Sequence, residues 1–131
     1  MVSIGIIANP ASGKDIRRLV SHATVIDNNE KVNIVKRIIL GAQGCGADTF
    51  YIMDDTFRIG SKVADDLSTS KELKSDIRIV DIKLNGNVQD TINTSRIMED
   101  IGVGCLVALG GDGTNRAIAK SIVKTPLISL S

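Results

Sequence analysis

The sequence predicts an α/β fold: an open, mostly parallel, doubly wound sheet with helices on both faces. Three observations predict it. Short apolar runs alternate with stretches of helical periodicity about five times along the 131 residues, the order expected of strands joined by crossover helices. The apolar residues are almost all aliphatic, with two Phe, one Tyr and no Trp, which suits a buried parallel sheet better than a β-sandwich. Turn signals close several of the runs, among them Asn9-Pro10, Asn85-Gly86 and the glycine cluster from Gly110. The length fits one domain, residues 1–131, with one core.

Ser3 to Ala8 reads as a buried strand stopped by Asn9-Pro10. Ile16, Leu19, Val20 and Ala23 follow helical spacing, and a second helical pattern runs through Val32, Val35, Ile38, Ile39 and Ala42 until the glycines from Gly41 to Gly46 end it. Phe50 to Met53 is the second strand, closed by Asp54-Asp55, and Ile59, Val63, Ala64 and Leu67 then share one face of a helix. Ile77 to Ile82 is the third strand, followed by a helix carrying Val88, Ile92, Met98 and Ile101. Val103 to Leu109 is the most apolar strand and is therefore placed centrally. A helix with Ala117, Ile118 and Ile122 follows, and Pro126 to Leu130 forms a fifth strand. The chain stops at Ser131, inside or just after that strand, so the natural protein is expected to continue.

Composition excludes several function classes. The formal net charge is +1, with 16 basic and 15 acidic residues spread along the chain, so no basic footprint for nucleic acid stands out. Scarce aromatic residues argue against single-strand stacking platforms. No apolar run reaches the roughly 18 residues a membrane span requires, and no basic segment precedes the N-terminal run as a signal peptide would need. The expected location is cytoplasmic. Cys45 and Cys105 have neither disulfide nor metal spacing, and one histidine, His22, leaves no His/Cys metal site, so both thiols are expected free.

In an open parallel sheet, ligands gather where strand C-termini meet helix N-termini. Two junctions stand out. After the fourth strand, Gly110, Gly111 and Gly113 place three glycines within four residues, which allows positive φ and close approach of the backbone to a ligand. Consecutive amides there, followed by a helix N-terminus, suit a polyphosphate. Asp112 would repel such a ligand, so it is expected to serve differently, by taking a proton from an attacking hydroxyl or by helping to hold Mg²⁺ against the phosphates. A plainer reading also stands, in which Asp112 or Thr114 caps the last helix.

The loop Asn9-Pro10-Ala11-Ser12-Gly13-Lys14-Asp15 follows the first strand and falls short of a Walker A sequence. Ala8 occupies the position of the first glycine, and Asp15 that of the Mg²⁺-binding hydroxyl. Gly13 and Lys14 can still offer amides and a cation, while Ser12 or Asp15 capping a helix is the plain alternative. No Gly-x-Gly-x-x-Gly follows a strand, which disfavours a dinucleotide-binding dehydrogenase. Asp54 and Asp55 end the second strand, where an acidic side chain either binds a ribose hydroxyl or caps a helix.

Together, Asn9-Pro10-x-Ser12-Gly13 and Gly110-Gly111-Asp112-Gly113-Thr114, about a hundred residues apart, resemble the superfamily of NAD kinases, diacylglycerol kinases and sphingosine kinases. The stretch Ile7 to Arg18 is similar to its ATP-NAD kinase-like branch, which includes proteins linked to acetoin catabolism. The resemblance runs along essentially the whole chain. It implies a phosphofructokinase-like N-terminal domain that binds ATP with Mg²⁺ and passes the γ-phosphoryl group to a hydroxyl. It implies Asp112 as the base toward the 2′-hydroxyl of NAD. Gly110, Gly111, Gly113, Thr114 and Asn115 would cradle the nucleotide, with Asn9, Pro10, Ser12, Gly13 and Lys14 as the second wall. NAD is the leading acceptor. A lipid or small-alcohol kinase and a non-catalytic nucleotide-binding regulator are the alternatives, and polyphosphate is the alternative donor. Such enzymes carry a β-rich second domain that supplies much of the acceptor site, and homo-oligomers are common among them. No residue of these 131 stands for that domain's acceptor-contacting motif, so this chain alone is expected to be inactive.

Overall fold

The computed structural model describes residues 2–8, 21–54, 58–80, 82–83 and 88–130, with backbone only for residues 21–28 and 112. Five strands form one sheet: β1 (Ser3–Ala8), β2 (Thr49–Met53), β3 (Asp76–Val80), β4 (Cys105–Leu109) and β5 (Leu127–Leu130). They lie in the order β3-β2-β1-β4-β5, and every neighbouring pair is parallel. The described helices are α1 (Ser21–Gly44), α2 (Ile59–Ser68), α3 (Val88–Ile101) and α4 (Asp112–Ser121). This is the predicted doubly wound sheet. β1 is the middle strand; β4, expected there, lies beside it, between β1 and β5.

Alternation along the strands builds the two layers. Ile6 and Ala8 of β1, Phe50 and Ile52 of β2, and Val107 and Leu109 of β4 pack with Val32, Val35 and Ile39 of α1 and with Ile59, Val63 and Leu67 of α2. Ile7, Met53, Leu106 and Ala108 point the other way, toward Met98 of α3 and Ile118 of α4. The strands are thus covered on both faces, which is why they read as continuous apolar runs rather than alternating ones. The two edge strands are more open. Ile128 and Leu130 of β5, on the α1/α2 side by register with Val107 and Leu109, remain 48% and 37% exposed.

Two expectations about helices need correction. The described part of the segment before β2 is a single helix from Ser21 to Gly44, so Ala23 and Val32 belong to one element. Asn29 and Glu30, between the two expected patterns, are exposed residues of this one helix. Ile16, Leu19 and Val20 lie outside the described residues. In α3 the expected apolar face holds only in part: Met98 is fully buried and Ile92 half-buried, whereas Val88 and Ile101 are exposed. The buried stripe is Asp90, Thr91, Thr94, Ser95 and Met98. It is fixed by close packing on β1: a Cβ at Gly5 would come within 2.6 Å of the Met98 sulfur. Ser95 offsets part of the polar burial by donating to the Thr91 carbonyl at 2.7 Å.

Side chains fasten the N-terminal edge of the sheet. Gln43, in the last turn of α1, accepts from the amides of Lys74 (2.6 Å) and Ser75 (2.7 Å) and donates to the Glu72 carbonyl, holding the approach to β3. Glu99, near the end of α3, accepts from the amides of Val123, Lys124 and Thr125 and from the Thr125 hydroxyl, holding the approach to β5. Those amides draw the Glu99 carboxyl below its ordinary pKa, with the Lys124 and Val123 bonds the largest causes. Both edge strands are tied at the end opposite the one where the candidate loops emerge. No described helix is long and apolar enough to cross a membrane.

Candidate functional site

Strand order reverses between β1 and β4. From β1 the chain winds outward to β2 and β3, and from β4 it winds the other way to β5. Loops leaving the C-terminal ends of such a pair turn to opposite faces and leave a crevice between them. Ala8 and Leu109, the last residues of β1 and β4, are register partners. The two candidate loops therefore leave the sheet side by side and at the same level.

The structure brings Gly110 to Asn115 together as one strand-to-helix turn. Gly110 follows β4, and Gly111 is the N-cap of α4 in extended conformation (φ −87°, ψ −171°) with no side-chain cap. Asp112 is the first helical residue, and the N-cap position falls on Gly111. The first intrahelical bond of the turn runs from the Asn115 amide to the Gly111 carbonyl at 3.2 Å. The amides of a helix's first turn precede its i→i−4 bonds and carry the positive end of the helix dipole, and in α4 that end lies at the C-terminal edge of β4.

The glycines act differently from the expectation of positive φ. Among the described glycines only Gly46 and Gly102 have it. Gly110 is required by contact instead: a Cβ there would sit 2.8–3.0 Å from the side-chain atoms of Thr114. Among the described residues a Cβ at Gly111 or Gly113 would meet nothing within 4 Å. The Asp112 side chain and the residues Asn9, Pro10, Ser12, Gly13 and Lys14 lie outside the described residues. Among the described residues, no group of three or more His, Cys, Asp or Glu side chains could hold a metal.

Asp54 has a structural role. Its carboxylate accepts from the Ser61 amide (3.0 Å) and the Ser61 hydroxyl (2.8 Å), capping α2 at the third amide of that helix. Asp55 lies outside the described residues. Both cysteines are free, Cys45 exposed and Cys105 half-buried, and burial raises the Cys105 thiol pKa. A groove of about 370 Å³ between α1 and α2, lined by Asn33, Lys36, Arg37 and Asp66, lies toward the opposite edge of the sheet. Its Lys36 is already paired with Asp66 at 3.0 Å.

One feature is not foreseen by hydrophobic periodicity: the polar residues on the buried side of α3, next to α4. Thr94 is fully buried, yet its Oγ1 has no hydrogen-bond partner, and the same holds for the buried Oδ1 of Asn115. The spacing of residues 91, 94, 95 and 98 carried the signal, but hydrophobicity alone discards Thr and Ser from a core face.

An open parallel sheet with a glycine turn at its switch point defines the class, an α/β domain with a helix N-terminus at the C-terminal edge of its sheet. Comparison narrows the class: the chain belongs to the ATP-NAD kinase N-terminal domain family, whose model matches residues 4–131. It is also similar to acetoin catabolism protein X of Cupriavidus necator, with 34% identity over 131 residues. That match covers 98% of this chain and 36% of the relative, so the chain spans about a third of the relative's length. No solved structure matches.

Proposed function

We propose that this chain is the nucleotide-binding domain of a kinase that moves the γ-phosphoryl group of ATP to a hydroxyl, with the 2′-hydroxyl of NAD as the leading acceptor. The observation that carries the proposal is the open-mouthed turn Gly110 to Asn115 at the strand-order reversal. The first-turn amides of α4 meet phosphate oxygens, and the absent side chains of Gly111 and Gly113 admit them. Asn9, Pro10, Ser12, Gly13 and Lys14, leaving β1 beside this turn, form the facing wall, with Lys14 as the cation.

Asp112 takes the proton of the acceptor hydroxyl as that oxygen bonds to the γ-phosphorus and the bond to the leaving ADP oxygen breaks. Mg²⁺, when bound with ATP, supplies charge neutralisation on the phosphates. The protein's share is placement and charge stabilisation, as in phosphoryl transfer generally. A β-rich domain beyond this one supplies the acceptor contacts, consistent with the greater length of the relative.

A small-alcohol acceptor is the second reading. The relative's name points to acetoin, a small hydroxy-ketone, and the glycine turn constrains the donor rather than the acceptor. In the full-length enzyme, Asp112→Ala is expected to lower turnover by about three orders of magnitude or more, on the scale of an essential base, with unchanged urea unfolding. Near-normal turnover overturns the assignment of Asp112. Assays with NAD and with small alcohols separate the two acceptors.

A further inference from the structure

Buried polar side-chain atoms almost always have a partner, and an exception calls for a cause. Among the described residues the two exceptions are Thr94 Oγ1 and Asn115 Oδ1. They lie on α3 and α4, which pack directly against each other on the same face of the sheet. Both helices follow a strand, so their N-termini lie at the edge of the sheet where the crevice opens. Asn115 is in the first turn of α4, one residue beyond Thr114 and anchored through its amide to Gly111. Thr94 is one turn before Met98, which is seated over Gly5, and so lies about 6 Å nearer the crevice edge along α3.

The chemistry of the two atoms narrows what could satisfy them. An amide oxygen only accepts, so it needs a donor, and ionised phosphate oxygens offer none. A sugar hydroxyl donates to an amide oxygen and both donates to and accepts from a threonine hydroxyl. We propose that the α3–α4 seam marked by Thr94 and Asn115 takes the ribose hydroxyls of a nucleotide whose phosphates lie on the glycine turn. This rests on the reading of that turn as a phosphate site. On this account the polar stripe of α3 is kept at the expense of apolar packing because it completes a sugar pocket.

The test compares binding of ATP, 2′,3′-dideoxy-ATP and tripolyphosphate to the 131-residue chain by calorimetry. The wild type is expected to prefer ATP over the dideoxy analogue roughly tenfold, the scale of one or two hydrogen bonds. Thr94→Val should erode that preference and leave tripolyphosphate affinity unchanged, and Thr94→Ser should restore it; Asn115→Leu should erode the preference as well. Urea unfolding checks the fold of each variant, and Thr94→Val is expected to be at least as stable as wild type because it removes an unpartnered hydroxyl. Equal preference in wild type and variants overturns the seam, as does a wild type that binds tripolyphosphate without discriminating the sugar. A wild type that binds none of the three overturns the seam and the phosphate site together.

Discussion

Ala8 and Leu109 are register partners at the C-terminal ends of β1 and β4. The helices that follow these strands, α1 and α4, pack on opposite faces of the sheet, so the two strand ends mark its switch point. The glycine turn at Gly110 therefore starts beside the end of β1, despite about a hundred residues of intervening sequence. At the opposite end of the sheet Gln43 and Glu99 hold the approaches to the edge strands β3 and β5.

Gly110 has no room for a side chain. Gly110→Ala should push Thr114 away from its seat, destabilising the fold by about 1–3 kcal/mol, as overpacking does. It should also weaken ATP binding by tenfold or more, since α4 would have to tilt. Urea denaturation and calorimetry check the two effects separately.

Gly5 and Met98 form an equally tight contact beneath α3. Gly5→Ala alone should cost about 1–3 kcal/mol. Combined with Met98→Ala, it should cost less than the sum of the two single changes, because the added methyl then occupies vacated space. A double-mutant cycle from urea unfolding measures that coupling.

Asp54 should matter for stability and not for the ligand. Asp54→Ala removes the acceptor of both Ser61 donors and is expected to cost about 1 kcal/mol, the typical scale of an N-terminal helix cap. Tripolyphosphate affinity should be unchanged, because Asp54 ends β2 while the glycine turn follows β4. A matched loss of affinity would move Asp54 back toward the site.

Glu99 gives the fold a pH dependence. Its carboxyl is held below its ordinary value in the folded state by the amides of Lys124, Val123 and Thr125. A depressed folded-state pKa contributes stability above the unfolded value, near 4.3, and that contribution is lost as pH falls through the folded value. Wild type should therefore exceed Glu99→Gln in stability at pH 7, and the gap should narrow below about pH 4.3. Urea unfolding from pH 7 down to pH 3 measures it, and a constant gap would contradict the assignment.

Much of the fold was legible because the three inner strands are buried on both faces, so each reads as a compact apolar run bounded by turns. Strand order followed less directly: β4 is more apolar than β1 yet lies beside the middle, because both strands are covered on both faces and apolarity does not separate them. The face of α3 was misread in part because Thr91, Thr94 and Ser95 lie inward through tertiary packing on Gly5, while Val88 and Ile101 remain exposed. At the site, position was legible and mechanism was not. The turn Gly110 to Thr114 stands where the spacing put it, but its glycines serve close contact and open space rather than positive φ. Nothing in local sequence foretells that Thr114 packs onto Gly110, since that contact depends on how α4 leaves β4.

The central claim is that the turn from Gly110 to Asn115 receives phosphates. The most direct test is a titration of the ¹⁵N-labelled chain with tripolyphosphate, followed by amide shifts in two-dimensional NMR. The account predicts the largest shifts at the amides of Gly110 to Asn115 and in the segment Asn9 to Lys14, with β3 and α2 unchanged. Saturable shifts centred on α2 or on the groove between α1 and α2, with the glycine turn silent, would contradict it.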